Sequence, residues 1–149
     1  MAHLDEQAGL PRGVLNVVSN APEDAPELVE ALIRGLIDSG CHVTDLGMVP
    51  TPVLYYATHT SEATSGVMLT GSHNPAEYNG LKIVIAGETL SEQRIQDLFK
   101  RILNHDFSQG AGSRQQLDLL DAYRQQITDD VVLVRPLKVV IDCGNGVAG

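Results

Sequence analysis

The sequence predicts an α/β protein, a three-layer sandwich with a mixed, mostly parallel sheet, and three observations carry that prediction. Short branched apolar runs (Leu15 to Val18, His42 to Leu46, Gly66 to Leu69, Leu81 to Ala86) have the length and composition of buried strands. Amphipathic stretches separate them, and strands alternating with helices imply parallel pairing with helices on both faces. At 149 residues, 43% hydrophobic and 19% charged, the chain is long enough to bury roughly two-thirds of its unfolded surface.

In chain order, Met1 to Gly13 shows no periodicity and is expected to be disordered or loosely packed. Leu15 to Val18 reads as the first strand. Asp24-Ala25-Pro26-Glu27 resembles a capping box with Pro26 in the first turn, where its missing N–H costs nothing. Leu28, Val29, Leu32, Ile33, Leu36 and Ile37 then draw one apolar stripe along a helix that Gly40 is placed to end in the left-handed conformation. After the strand His42 to Leu46, Thr51 is expected to cap a short helix that has Pro52 at its first position and runs to about His59.

Gly66 to Leu69 and Leu81 to Ala86 flank the most polar loop, and Gly87-Glu88 marks a turn. Ser91 or Thr89 is expected to cap a helix through Ile102, with Ile95, Leu98, Phe99 and Ile102 on one side and Glu92, Gln93, Arg94 and Lys100 on the other. Asn104 to Ser113, polar and containing Gly110-Ala111-Gly112, reads as a linker. Leu117 to Gln126 reads as a helix, and Lys138 to Asp142 as a buried strand. The expected organisation is therefore a loose start over 1–13, an α/β domain over 14–113, a connecting helix over 114–137, and the first strand and turn of a second, truncated domain over 138–149.

Charge and composition exclude several functions. Acids outnumber bases 19 to 10, for a net charge of −9, which is the wrong sign for binding a phosphate backbone or an anionic membrane surface. Aromatic residues make up only 4%, leaving few rings to stack on bases. No apolar run approaches the roughly 20 residues needed to span a bilayer, and the N-terminus is too polar for a signal peptide. Cys41 and Cys143 are too far apart for a CxxC pair and read as small buried hydrophobes in a reducing cytoplasm. Gly144-Asn145-Gly146-Val147-Ala148-Gly149 matches the dinucleotide fingerprint GxGxxG, but that mechanism requires a following helix, so the segment reads as an ordinary tight turn and no nucleotide cofactor is expected.

The chemistry concentrates in Thr70-Gly71-Ser72-His73-Asn74-Pro75 and in Asn79-Gly80-Leu81-Lys82. Gly71 and Pro75 preset the turn's shape. A Ser72–His73 dyad is disfavoured because adjacent residues in extended backbone point to opposite faces. The GxSxG elbow is not matched, since Asn74 stands where its second glycine belongs. A serine that carries a phosphoryl group fits better: Lys82 and His73 supply positive charge and donors, Asn74 an amide, and the turn backbone N–H groups. The plain alternative is a hydrogen-bonded turn with a solvated lysine beside it.

These residues resemble the phosphoserine loop of the α-D-phosphohexomutases, closest to the bacterial phosphomannomutase/phosphoglucomutase group. The resemblance extends to Pro26-Glu27-Leu28-Val29, to Gly47-Met48-Val49-Pro50-Thr51-Pro52-Val53-Leu54-Tyr55-Tyr56, to Gly66-Val67-Met68-Leu69 and to Val139 through Gly149. It implies the first domain of a four-domain cytoplasmic enzyme that interconverts hexose 1-phosphates and hexose 6-phosphates through a bisphosphate intermediate. It further implies that Ser72 is the phosphoserine, that His73 and Asn74 shape and polarise its surroundings, and that Lys82 is a general acid/base or charge stabiliser. Mg²⁺ would be ligated by the Ser72 phosphate, with glucose 1,6-bisphosphate as activator, and the fragment alone would be inactive.

The sequence departs from the family's pattern in three places. The DGDxDR metal loop and the sugar-recognition loops of the later domains lie beyond Gly149. Val18-Ser19-Asn20-Ala21-Pro22 stands where the family has a glycine-arginine-aspartate-x-arginine segment, and the preceding arginine-bearing strand is missing, which leaves an exposed sheet edge expected to promote association. That altered segment motivates a second reading, a non-catalytic sugar-phosphate-binding or interaction domain derived from the family. A serine hydrolase stands third.

Overall fold

A computed structural model describes residues 14–20, 25–71 and 78–142, with side chains from Pro26 onward. Six strands form one sheet in the order β5-β4-β3-β1-β2-β6. They are β1 (Val14–Asn20), β2 (His42–Gly47), β3 (Ser65–Thr70), β4 (Gly80–Ile85), β5 (Glu88–Thr89) and β6 (Ser113–Gln116). β1 pairs in parallel with β2 and β3, and β2 in parallel with β6, whereas β4 runs antiparallel to β3 and to β5. The mixed, mostly parallel sheet is the expected one. Its antiparallel part follows from chain length: only about nine residues separate β3 from β4, fewer than the dozen or more a parallel crossover needs, so the chain returns beside itself in the opposite sense.

Among the described residues four helices accompany the sheet: α1 (Ala25–Asp38), α2 (Thr51–Thr60), α3 (Glu92–Leu103) and α4 (Leu120–Asp130). α1 brings Val29, Ile33 and Leu36 onto one face of the sheet, in a buried cluster with Cys41, Val43, Val67 and Leu69. α2 brings Val53, Leu54 and Ala57 onto the other, in a cluster with Leu46, Val49, Met68 and Val84. Alternate residues of β3 thus feed opposite clusters, as a pleated strand covered on both faces requires, and all six of its residues are buried.

The end of α1 shows how the sequence sets this geometry. Gly40 has φ +92°, its N–H donates to the Ile37 carbonyl at 2.9 Å, and the Cys41 N–H donates to the Leu36 carbonyl at 2.9 Å. This is a Schellman ending, which satisfies two helix-end carbonyls and turns the chain directly into β2. In the β4–β5 hairpin the left-handed residues are Ala86 and Gly87, at φ 52° and 77°, one position before the expected Gly87-Glu88 turn. Two successive left-handed residues match the right-handed twist of the flanking strands.

Several expectations are corrected. Thr51 is the first residue of α2 and does not cap it; Pro50 is the N-cap, makes no side-chain bond, and accepts from the Val53 N–H at 3.0 Å. Ser91 is the N-cap of α3, one of the two residues expected there, though it makes no side-chain bond. α4 starts three residues later than Leu117, because the Asp118 carboxylate accepts from the Leu120 N–H at 2.9 Å and holds the preceding residues in a turn. Lys138 to Asp142 forms no strand, and Val139, Val140 and Ile141 are 66%, 96% and 77% exposed. No described strand lies beside this segment, and an extended run needs a partner for its backbone groups. The capping box at Asp24 and the loose start at Met1 to Gly13 lie outside the described residues.

β6 is the element that periodicity does not announce. Ser113-Arg114-Gln115-Gln116 is polar and exposed along its length, yet it pairs with β2 from His42↔Ser113 to Asp45↔Gln116. Side chains fasten it from both faces: Arg114 donates to Glu30 of α1 at 2.8 Å and to Asp45 of β2 at 2.7 Å, and Gln115 donates to the Thr44 hydroxyl at 3.0 Å. The two carboxylates hold the Arg114 pKa above its ordinary value, Asp45 contributing most. The Asp45 side chain is only 7% exposed, so removing its cation leaves a desolvated carboxylate with the Gly47 N–H still donating to it. Arg114→Leu is therefore expected to lower stability by about 2 kcal/mol, below the figure for a fully buried pair because Arg114 itself touches water. Urea unfolding measures this, with Arg124→Leu, in an exposed pair on α4, as the near-neutral control.

Candidate active site

Because β1, β2 and β3 are parallel, their carboxyl ends lie on one edge of the sheet. The register fixes this: Val18 pairs with Gly47, and Asn20 pairs with Thr70. β4 starts at the same edge, with Gly80 opposite Thr70. In open α/β sheets this edge is where ligands bind, since the loops leaving the strands converge there. The chain between the paired residues Thr70 and Gly80 contains the serine loop, so both ends of that loop are tied to adjacent strands.

Ser72, His73 and Asn74 lie outside the described residues. What is described is their frame. Thr70 is buried, 5% exposed, at the end of β3, all six of whose residues are buried. Gly71 continues from it, and Tyr78 and Asn79 bring the chain back exposed to solvent. A loop mounted on a strand buried on both faces has rigid supports, which a site that positions reactants needs.

Lys82 is described. It lies on β4 directly opposite Met68, two residues in from the rim, and its side chain is exposed. Thr70, Met68 and Lys82 share one face of the β3–β4 pair by strand alternation. Among the described residues Lys82 has no ion pair, so its ammonium is available to an anion approaching the rim. No group of three or more His, Cys, Asp or Glu is arranged to hold a metal among the described residues.

A cleft of about 390 Å³ opens farther along the same edge, at the ends of β2 and β6. Gly47, Met48, Gln116, Leu117 and Asp118 line it. Nothing in the local sequence marks it, because it exists only where β6, a strand distant in sequence, comes to lie beside β2.

Residues 23–109 match the family described as phosphoglucomutase/phosphomannomutase, alpha/beta/alpha domain I, a span that contains the serine loop and Lys82. The chain belongs to this family. The phosphoglucomutase/phosphomannomutase relatives include a phosphomannomutase/phosphoglucomutase of Pseudomonas aeruginosa, 61% identical over 124 residues, covering 83% of this chain and 27% of that protein. A phosphoglucomutase of Neisseria gonorrhoeae is 45% identical over 126 residues, with the same coverage. The solved structure of a phosphoglucomutase/phosphomannomutase family protein from Burkholderia thailandensis superposes with a TM-score of 0.90 at 42% identity, over 97% of this chain and 33% of that one. The chain therefore spans about a quarter to a third of the family members it matches, in the region of domain I. Among the described residues no helix is long and apolar enough to cross a membrane.

Proposed function

We propose that this chain is the phosphoserine domain of a cytoplasmic phosphohexomutase, active when the remaining domains of the enzyme complete the site and inactive alone. The observation that supports this best is the placement of the loop carrying Ser72, tied at Thr70 and Gly80 to the carboxyl edge of a parallel sheet, with Lys82 on the adjoining strand. In this reading the phosphorylated Ser72 Oγ–P bond breaks as a P–O bond forms to a free hydroxyl of a hexose 1- or 6-phosphate, and the hydroxyl proton passes to a base at the site. The second half-reaction returns the other phosphoryl group of the bisphosphate to Ser72. Glucose 1,6-bisphosphate primes the cycle by phosphorylating the resting serine.

The residues of this chain position and neutralise. In this reading His73 and Asn74 shape and polarise the surroundings of the phosphoserine, and the Lys82 ammonium lowers the energy of the charge that builds on the transferring group, or relays the hydroxyl proton. Mg²⁺, when bound, would neutralise phosphoryl charge as a Lewis acid, and the ligand this chain offers it is the phosphate of Ser72. Discrimination between mannose and glucose phosphates falls to the other domains.

Complementation provides the test: the chain is mixed with the other domains of the Pseudomonas aeruginosa relative, and conversion of glucose 1-phosphate to glucose 6-phosphate is followed. Wild type is expected to restore turnover. Lys82→Met is expected to lower kcat by about 10²-fold with a small change in KM, the usual loss when one preorganised charge donor is removed. Unchanged turnover in Lys82→Met would remove Lys82 from the mechanism.

A further inference from the structure

Lys82 stands opposite Met68, two residues below the rim, whereas Gly80 at the rim stands opposite Thr70, where the serine loop departs. Two residues of an antiparallel strand cover roughly 6.8 Å, and an extended lysyl stem spans about 6 Å. The ammonium therefore meets the loop only if its stem lies flat along the strand, over position 80.

The neighbours of Lys82 decide which way that stem runs. One step inward on the same face is Val84, 1% exposed, and across the ladder is Met68, 0% exposed. Both belong to the apolar cluster beneath α2, so an ammonium turned inward or toward β3 would be buried without a partner. A charged head on a flexible stem extends toward water instead, and Lys82 is exposed, as that course requires. Water lies at the rim and at the outer edge of β4; of the two, the rim is where a phosphorylated Ser72 would place about two negative charges. One step outward on the same face is Gly80, which has no side chain to block the way.

Backbone conformation does not explain this glycine. Gly80 is paired in the antiparallel ladder of β4, and among the described residues the glycines at positive φ are Gly40, Gly47 and Gly87. An extended strand position accepts any side chain, and glycine there weakens the strand.

We infer that Gly80 is a positioning residue for the reaction proposed above: its missing side chain leaves the groove along which Lys82 reaches the phosphoryl group on Ser72. The inference rests on that reading of Ser72 and assigns to Gly80 an effect that acts wholly through Lys82. A side chain at position 80 would stand on the same face and divert the lysyl stem, and a misplacement of about 1 Å in a positioned group can cost on the order of 10²-fold in rate.

A double-mutant cycle in the complemented enzyme tests the proposal. Gly80→Val is expected to lower kcat for glucose 1-phosphate by about 30-fold with little change in KM, and Gly80→Ala by about 5-fold, in order of bulk. In the Lys82→Met background the same substitutions are expected to change kcat by less than about 2-fold, since the side chain they obstruct is gone. The thermal midpoint of the chain is expected to hold or rise, valine and alanine being better strand residues than glycine. Alanine, the smaller change, carries the same comparison where valine disturbs the fold. A kcat that falls equally in the Lys82→Met background overturns the proposal, because Gly80 would then act on the loop itself. So does a wild-type kcat in Gly80→Val beside an impaired Lys82→Met, an outcome that leaves Ser72 as carrier. Failure of the Ser72 reading shows separately, as turnover that survives Ser72→Ala.

Discussion

Ser72→Ala is expected to abolish mutase turnover in the complemented enzyme, by at least about 10³-fold in kcat, because it removes the atom to which the phosphoryl group is covalently attached between half-reactions. Loss of a positioned charge slows a step, whereas loss of the carrier oxygen deletes it. Water or a neighbouring hydroxyl is a poor replacement, since a covalent carrier must return the group to the same intermediate rather than release it. The change removes a single oxygen and leaves the backbone as it is, so the thermal midpoint of the variant is expected to match wild type within about a degree. Substrate binding by the other domains should persist, and the variant should therefore act as a competitor when mixed with wild type. Turnover at the wild-type rate would exclude Ser72 as carrier.

The second large effect is on stability. Gly112→Ala is expected to destabilise the domain by about 4 kcal/mol, more than most small-to-large changes, because the new methyl would collide with rigid backbone. A Cβ built at Gly112 overlaps the Cys41 carbonyl oxygen, and the same carbonyl accepts from the Ser113 N–H at 3.3 Å. The Gly112 N–H donates to the Ile37 carbonyl at 2.9 Å, so the segment cannot back away without losing the bonds that lead it into β6. The neighbouring crossing is tight too: a Cβ at Gly110 would lie 2.6 Å from Gly40 Cα. Gly35→Ala is the matched control. Nothing lies within 4 Å of a Cβ there, in the middle of α1, and that variant should gain about 0.5–1 kcal/mol. Urea or thermal unfolding of the two variants should move in opposite directions.

These glycines also explain what the sequence revealed and what it concealed. The stripe from Leu28 to Ile37, the glycine at 40 and the apolar run at 66–69 are local signals, and each formed the element it announced, to within a few residues. Gly110-Ala111-Gly112 has the composition of a linker, and locally that is a fair description. In the fold the two glycines let the chain pass against the end of α1 and enter the sheet as β6, an event governed by β2, some 70 residues away. Arg114 likewise shows its meaning only beside Asp45 and Glu30. Lys138 to Asp142 failed in the opposite sense: its composition suits a strand, but a strand is a paired object, and pairing is not written in its own residues.

The candidate site divides along the same line. The serine loop and Lys82 were legible because their spacing is a motif that resembles a known family, and the sheet register accounts for the spacing: Gly80 must face Thr70, which places Lys82 opposite Met68. The cleft beside Met48 was invisible because one of its walls is β6. The exposure of α3, none of whose residues is buried, was equally hidden, since an amphipathic pattern announces a buried face whether or not the chain supplies the surface that buries it.

The central claim is that Ser72 carries the phosphoryl group, and phosphosite mapping tests it most directly. The chain, supplied with the remaining domains, would be incubated with glucose 1,6-bisphosphate, digested and analysed by peptide mass spectrometry. Phosphate on Ser72, replaced by labelled phosphate when glucose 1-phosphate carrying an isotopic label in its phosphate is added, is the predicted result. Phosphate found reproducibly on another residue, or turnover with Ser72 never modified, would contradict it.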